Sequence, residues 1–259
     1  MSASMGEVND PRATPGRDKT PRGRRAGRRA LAGLREMVIV LVLALVFSFV
    51  VKSWFVQAFY IPSGSMENTL LVGDRVIVNK LSPRFTPLTR GDVIVFEDPG
   101  GWLPPQPPTD QGPVLDLLHR ALVSIGLAPT SEDHLIKRLI GLPGDHVVCC
   151  SADQKLLVNG VEIEESGYLK PGDVPSSVPF DIVVPPGKVW VMGDHRSDSE
   201  DSRFHDPNGD GKGGSVALEL VTGRAMVRVW PVARIGGLAA GAAAFQSVPQ
   251  PAGGGASTP

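Results

Sequence analysis

Three segments of the 259-residue chain combine side chains that an ordinary turn or strand does not need. "IPSGSM", residues 61–66, sets Ser63 and Ser65 on either side of one glycine, just after a long apolar run. Such a pair can be a plain polar turn, or a nucleophile with a second hydroxyl to steady developing charge. "LIKRLIGLPGD", residues 135–145, places Lys137 among Leu135, Ile136, Leu139 and Ile140. On a half-buried strand its ammonium would lose hydration, its pKa would fall, and it could serve as a general base. On an exposed strand it would be a snorkelling surface lysine. "GDHRSDSEDSR", residues 193–203, holds three serines, four acidic residues and two arginines with no large apolar side chain.

Several other chemistries are excluded by what is missing. No Gly-x-Ser-x-Gly elbow and no Ser-x-x-Lys motif occurs, nor His-Glu-x-x-His or a Walker loop. "DPNGDGKGG" from Asp206 opens like a calcium loop through Asp206, Asn208, Asp210 and Gly211, but Ala217 stands where the closing glutamate belongs. No metal and no cofactor is expected. Cys149 and Cys150 are adjacent, a spacing that strains a disulfide, and they read as unpaired strand residues without a function.

The elements that must position these groups are mostly strands. Runs rich in Val and Ile, broken by Gly, Pro, Asp and Asn, recur at 74–81, 91–98, 135–142, 145–150, 155–163, 180–194 and 223–232. Asn159-Gly160 marks a hairpin. Residues 99–133 begin Pro-rich and continue with helical spacing, an insertion between strands, and residues 146–185 form a smaller β subdomain. A Gly/Ala/Pro-rich tail fills 233–259.

The N-terminal end differs. Residues 1–36 form a basic tail, expected to be disordered through residue 30, with nine Lys/Arg between 12 and 35. Such a cluster suits nucleic acid, a solvated tail or the flank of a membrane segment, and the uncharged run Met37–Val51 behind it favours the flank. Fifteen helical residues span about 22 Å, and continuation through residue 58 makes up a bilayer core of about 30 Å. A cleaved leader is the competing reading, but no small-x-small site follows. The expectation is a transmembrane helix at 37–58, N-terminus cytoplasmic, with residues 59–232 an extracytoplasmic β-rich domain.

In order behind that anchor, "IPSGSM", "IKRLIGLPGD" and "GDHRSDSEDSR" resemble the conserved boxes of the bacterial type I signal peptidases, over roughly Val38 to Pro231. The resemblance implies a mainly β, antiparallel catalytic domain behind one transmembrane helix. It implies Ser65 as nucleophile and Lys137 as base, a Ser-Lys dyad. Ser63 and the Ser65 N–H would form the oxyanion hole. Ser199 would orient the lysine amine, and Asp201 with Arg203 would support the site as a charged pair.

The substrate would bind as an added strand. Met66, Leu70, Leu135 and Ile136 would line the pocket for the −1 residue, and Phe59, Ile61 and Ile136 that for −3. The implied partners are secretory preproteins with Ala-x-Ala-like sites, membrane lipid and an export translocon nearby, with no nucleic acid. Departures from the family pattern are Glu67 beside the pocket, Leu135 in place of tyrosine and His195 in place of asparagine; His195 leaves a Ser-His pair open. The rivals are an anchored β-domain that only binds, which would hold Ser65 and Lys137 apart, and a soluble Ser-Lys autoprotease.

Overall fold

Strand burial follows from how many faces are covered. The computed structural model describes residues 22–104, 112 and 133–251. Its strands are β1 (Val56–Tyr60), β2 (Arg75–Asn79), β3 (Val93–Glu97), β4 (His134–Gly141), β5 (His146–Cys149) and β6 (Leu156–Val158). They continue with β7 (Val161–Glu162), β8 (Phe180–Val183), β9 (Lys188–Met192), β10 (Val216–Ala217), β11 (Val221–Trp230) and β12 (Gly236–Gly237). An eight-stranded sheet runs β1-β2-β11-β3-β4-β9-β10 with β12 on β11, and a four-stranded sheet runs β7-β6-β5-β8. The neighbouring strands pair antiparallel.

β2 is half-covered: Val76 and Val78 go inside while Arg75 is exposed, the period of two that its sequence shows. β3 and β4 lie between other strands with both faces covered, and from Leu135 to Gly141 every β4 residue is buried. That forces two consecutive cations, Lys137 and Arg138, into the interior. The run 180–194, read as one strand, divides into β8 and β9, because Pro185-Pro186-Gly187 turns the chain from the small sheet into the large one. Asn159 and Gly160 both have positive φ (51° and 79°), closing the β6–β7 hairpin.

Helix α1 (Arg22–Trp54) begins within the stretch expected to be disordered. Its side chains from Met37 to Phe49 are exposed. Among the described residues no helix is long and apolar enough to cross a membrane. At the other end, residues 56–58, assigned to the span from sequence, belong to β1, because pairing with β2 lets Phe59 and then Ile61 enter the core.

The insertion is described only through its start, where buried Trp102 meets Phe96 edge-on and stacks on His205. Its helical spacing lies outside the described residues. The tail folds back onto the domain: Leu238 joins one core cluster and Phe245 and Val248 another. The carbonyl of Pro249 accepts from Arg90 Nη2 (3.1 Å) and Asn159 Nδ2 (3.0 Å). Cys149 and Cys150 are disulfide-bonded, contrary to the sequence expectation. β5 ends there with Cys149 in the core of the small sheet and Cys150 packed against it, so both sulfurs stay in one cluster.

Candidate active site

The two cations of β4 meet different fates. Arg138 donates from Nε (2.7 Å) and Nη2 (2.6 Å) to the two oxygens of Asp194, at the end of β9. It also donates to the Gly91 carbonyl and lies 4.3 Å from the Tyr168 ring centroid. Thr69 completes the group by donating its hydroxyl to Asp194 at 2.5 Å. A buried ion matched this fully is a structural group.

Lys137 has no such match. It is buried, and among the described residues no carboxylate forms an ion pair with its amine. Nζ lies 2.7 Å from Ser65 Oγ and donates to it. Burial holds the amine well below its ordinary 10.5, at about 8, with Asp201 pulling it up, Arg203 pushing it down, and Asp198 and Asp194 pulling it up. At that value a good part of the amine is neutral near physiological pH and able to take a proton.

Ser65 is presented by a tight turn. Met66 and Leu70, both fully buried, anchor it, and Glu67 N–H donates to Gly64 O while Leu70 N–H donates to Met66 O. Asn68 has a φ of 88° and ties the turn to the carbonyls of Tyr168 and Leu169. Ser63 is exposed with its hydroxyl 3.4 Å from that of Ser65.

The third box forms the wall behind the pair. Asp201, fully buried, accepts from Ser199 Oγ (2.8 Å), Gly193 N–H (2.9 Å), Arg203 Nε (2.8 Å) and Arg203 Nη2 (2.8 Å). Burial pushes that carboxyl up, but Arg203 first, then Lys137 and Gly193, outweigh it and hold it below the usual range. Ser199 was expected to bond the lysine amine; its hydroxyl instead goes to Asp201, the strongest acceptor in reach. Arg196 is buried and paired with Glu165.

The expected pocket residues divide. Phe59, Ile61, Met66, Leu70 and Ile136 share one buried cluster. Leu135 lies in the neighbouring cluster with Phe96 and Val191, because successive strand residues face opposite ways. His195 is close, but its ring meets the Gly64 carbonyl (Nδ1, 3.2 Å) and Lys170 Nζ, while the Ser65 hydroxyl faces Lys137. In the calcium-like loop, Asp206 Oδ2 accepts Gly211 N–H and Asp210 Oδ1 accepts Lys212 N–H, so these carboxylates serve the loop itself.

Sequence reasoning missed Arg138, Asp194 and Gly193. Arg138 carried a signal, since a second charge inside an apolar run demands a partner. A β-carbon on Gly193 would fall 2.5 Å from both the Ser65 carbonyl oxygen and Ser199 Cβ.

The family model described as "Signal peptidase, peptidase S26" matches residues 34–230. The chain belongs to the signal peptidase I family of serine endopeptidases. A signal peptidase I of Mycobacterium tuberculosis is 39% identical over 221 residues, covering 78% of this chain and 74% of that protein. A probable signal peptidase I of Mycobacterium leprae is 35% identical, covering 80% of each. A solved signal peptidase I from Enterococcus faecalis aligns at 24% identity over 53% of this chain and 95% of its own, with a TM-score of 0.33. The antiparallel, mainly β architecture is the one expected of the family.

Proposed function

We propose that the chain is a membrane-anchored endopeptidase that removes signal peptides from exported preproteins, cutting after small residues at −1 and −3 with a Ser65–Lys137 dyad. The observation that carries this is the 2.7 Å contact between the Ser65 hydroxyl and a buried amine that has no carboxylate partner among the described residues. In its neutral form Lys137 takes the Ser65 proton as Oγ attacks the scissile carbonyl. The resulting oxyanion is met by the Ser63 hydroxyl and the Ser65 backbone N–H. The protonated amine then gives its proton to the leaving nitrogen as the C–N bond breaks. A water activated by the same amine releases the acyl group from Ser65.

Sheet topology supports the substrate as an added strand. Among the described strands β9 covers the edge of β4 only from Arg138 onward, so residues 135–137 have no strand paired on that edge beside the dyad. β1 ends the sheet path and pairs only with β2 among the described strands. A strand in this space gains main-chain hydrogen bonds from the enzyme. The side chains of Ile136, Met66, Phe59 and Ile61 are each no more than 8% exposed and pack closely, which suits alanine-sized residues.

The uncharged run Met37–Val51 behind nine positive charges supports an anchor with its N-terminus in the cytoplasm and the dyad outside. Its substrates reach that face still tethered to the bilayer by the leader being removed, close to the export machinery.

The test is cleavage of an Ala-x-Ala preprotein by detergent-solubilised protein. Wild type should cut after the second alanine, and Ser65→Ala and Lys137→Ala should each lose activity by several orders of magnitude. Normal cutting by Lys137→Ala would reject the dyad, and a folded wild type that cuts no preprotein would reject the peptidase reading.

A further inference from the structure

On the signal-peptidase reading above, we propose that Asp198, set in a frame of Glu67, Lys170 and His195, reads charge on the residues following the cut bond and disfavours acidic ones. The path of the leaving segment comes from the sheet. A substrate strand on residues 135–137 lies in line with β9, whose pairing to β4 begins at Arg138↔Met192. The two cannot occupy one edge, so past Lys137 the substrate must leave the sheet where β9 ends, over residues 193–198.

Four ionisable side chains collect there, at the glycine before the nucleophile. A β-carbon on Gly64 would lie 3.2 Å from Glu67 Oε1 and 3.3 Å from Asp198 Oδ2. His195 Nδ1 is 3.2 Å from the Gly64 carbonyl, and His195 N–H donates to the Ser65 carbonyl at 3.1 Å. Lys170 Nζ donates to Glu67 Oε2 at 2.6 Å and lies 3.1 Å from His195 Nε2.

Lys170 is held by Glu67 and His195, and among the described residues it makes no ion pair with Asp198. Asp198 is left with a side chain 70% exposed and, as its nearest basic group, His195 Nδ1 at 3.7 Å. The Asp198 carboxylate thus stands open to solvent and beside the nucleophile. The same two segments run on to line a cavity of about 150 Å³ with Gly172, Asp173, Val174, Arg196 and Ser197, giving later residues room. Arg196 is matched there by Glu165, while Asp173 takes both hydrogen bonds of Ser197, so the cavity adds no free cation.

The experiment uses three preproteins identical except for Lys, Gln or Glu at the second residue after an Ala-x-Ala site. Full-length wild type, Asp198→Asn and Asp198→Lys are compared by kcat/KM, each normalised to the Gln substrate so that general changes in activity cancel. Exposed charge pairs have modest strength, so wild type should prefer Lys over Glu by about fivefold at low salt. That ratio should fall towards one at about 1 M salt, where the screening length is about 3 Å. Asp198→Asn should flatten the preference and Asp198→Lys should invert it. Equal cutting of all three by wild type, or a preference that Asp198→Lys leaves in place, would overturn the proposal while the peptidase reading stands. If none of the three is cut, both fall.

Discussion

Ser199 donates its hydroxyl to Asp201 Oδ2 at 2.8 Å, so its influence on Lys137 passes through a carboxylate. Asp201 is the first of the charges that pull the lysine amine upward. Removing a donor leaves more of the carboxylate's charge unshared. Ser199→Ala should therefore lower stability by about 1 kcal/mol and move the midpoint of the pH–activity curve to higher pH. A midpoint that stays in place would show that Ser199 does not act through Asp201.

Arg138 and Asp194 form a fully buried pair, Arg138 standing next to Lys137. Replacing Arg138 by Ala leaves Asp194 charged with only the Thr69 hydroxyl beside it, at a cost of about 3–5 kcal/mol. For a domain of this size the melting temperature should fall by roughly 10 °C. Arg138→Lys should recover little of this, since an ammonium cannot make the two-pronged contact. Thermal unfolding followed by circular dichroism gives the answer, and an unchanged melting temperature would refute this role.

Gly193 touches both halves of the site. The β-carbon of Gly193→Ala would meet Ser199 and also the Ser65 carbonyl, which cannot yield without moving the turn that carries the Ser65 hydroxyl. Activity should drop by about a hundredfold or more, the scale expected when a reacting group is displaced by about 1 Å. The melting temperature should fall as well. Steady-state kinetics on Gly193→Ala at wild-type rate would contradict the close packing.

Keeping Lys137 buried destabilises the fold at neutral pH. An amine that loses its proton near 8 rather than 10.5 lowers stability by about 3 kcal/mol when the solution is below 8. The native state then holds the proton less tightly than the unfolded chain. The penalty is full below about 8 and is relieved as pH rises from there towards 10.5. Lys137→Met should therefore unfold at higher denaturant than wild type at pH 7, and that advantage should shrink by pH 10. A variant less stable than wild type at pH 7 would contradict it.

Much of this site was legible because local chemistry announced it. Lys137 stood in an apolar run, and two serines followed an apolar segment without a structural need for both. The β6–β7 hairpin was written in Asn159-Gly160. What stayed hidden depended on which elements come together. The separation of Leu135 from Ile136 needed the neighbours on each face of β4. The partner of Ser199 depended on Asp201 being fully buried, and Asp194 is named as the partner of Arg138 only once β9 lies beside β4. Residues 56–58 read as the end of a helix because an apolar run looks alike in a bilayer and at a sheet edge; pairing with β2 decides it.

The central claim is that a neutral Lys137 removes the Ser65 proton, and the pH dependence of kcat/KM for an Ala-x-Ala preprotein tests it most directly. Activity should rise tenfold per pH unit at low pH and level off, with a midpoint at about 8 set by the buried amine. A midpoint near that of an ordinary histidine, about 6.5, that disappears in His195→Ala would contradict it and make His195 the base.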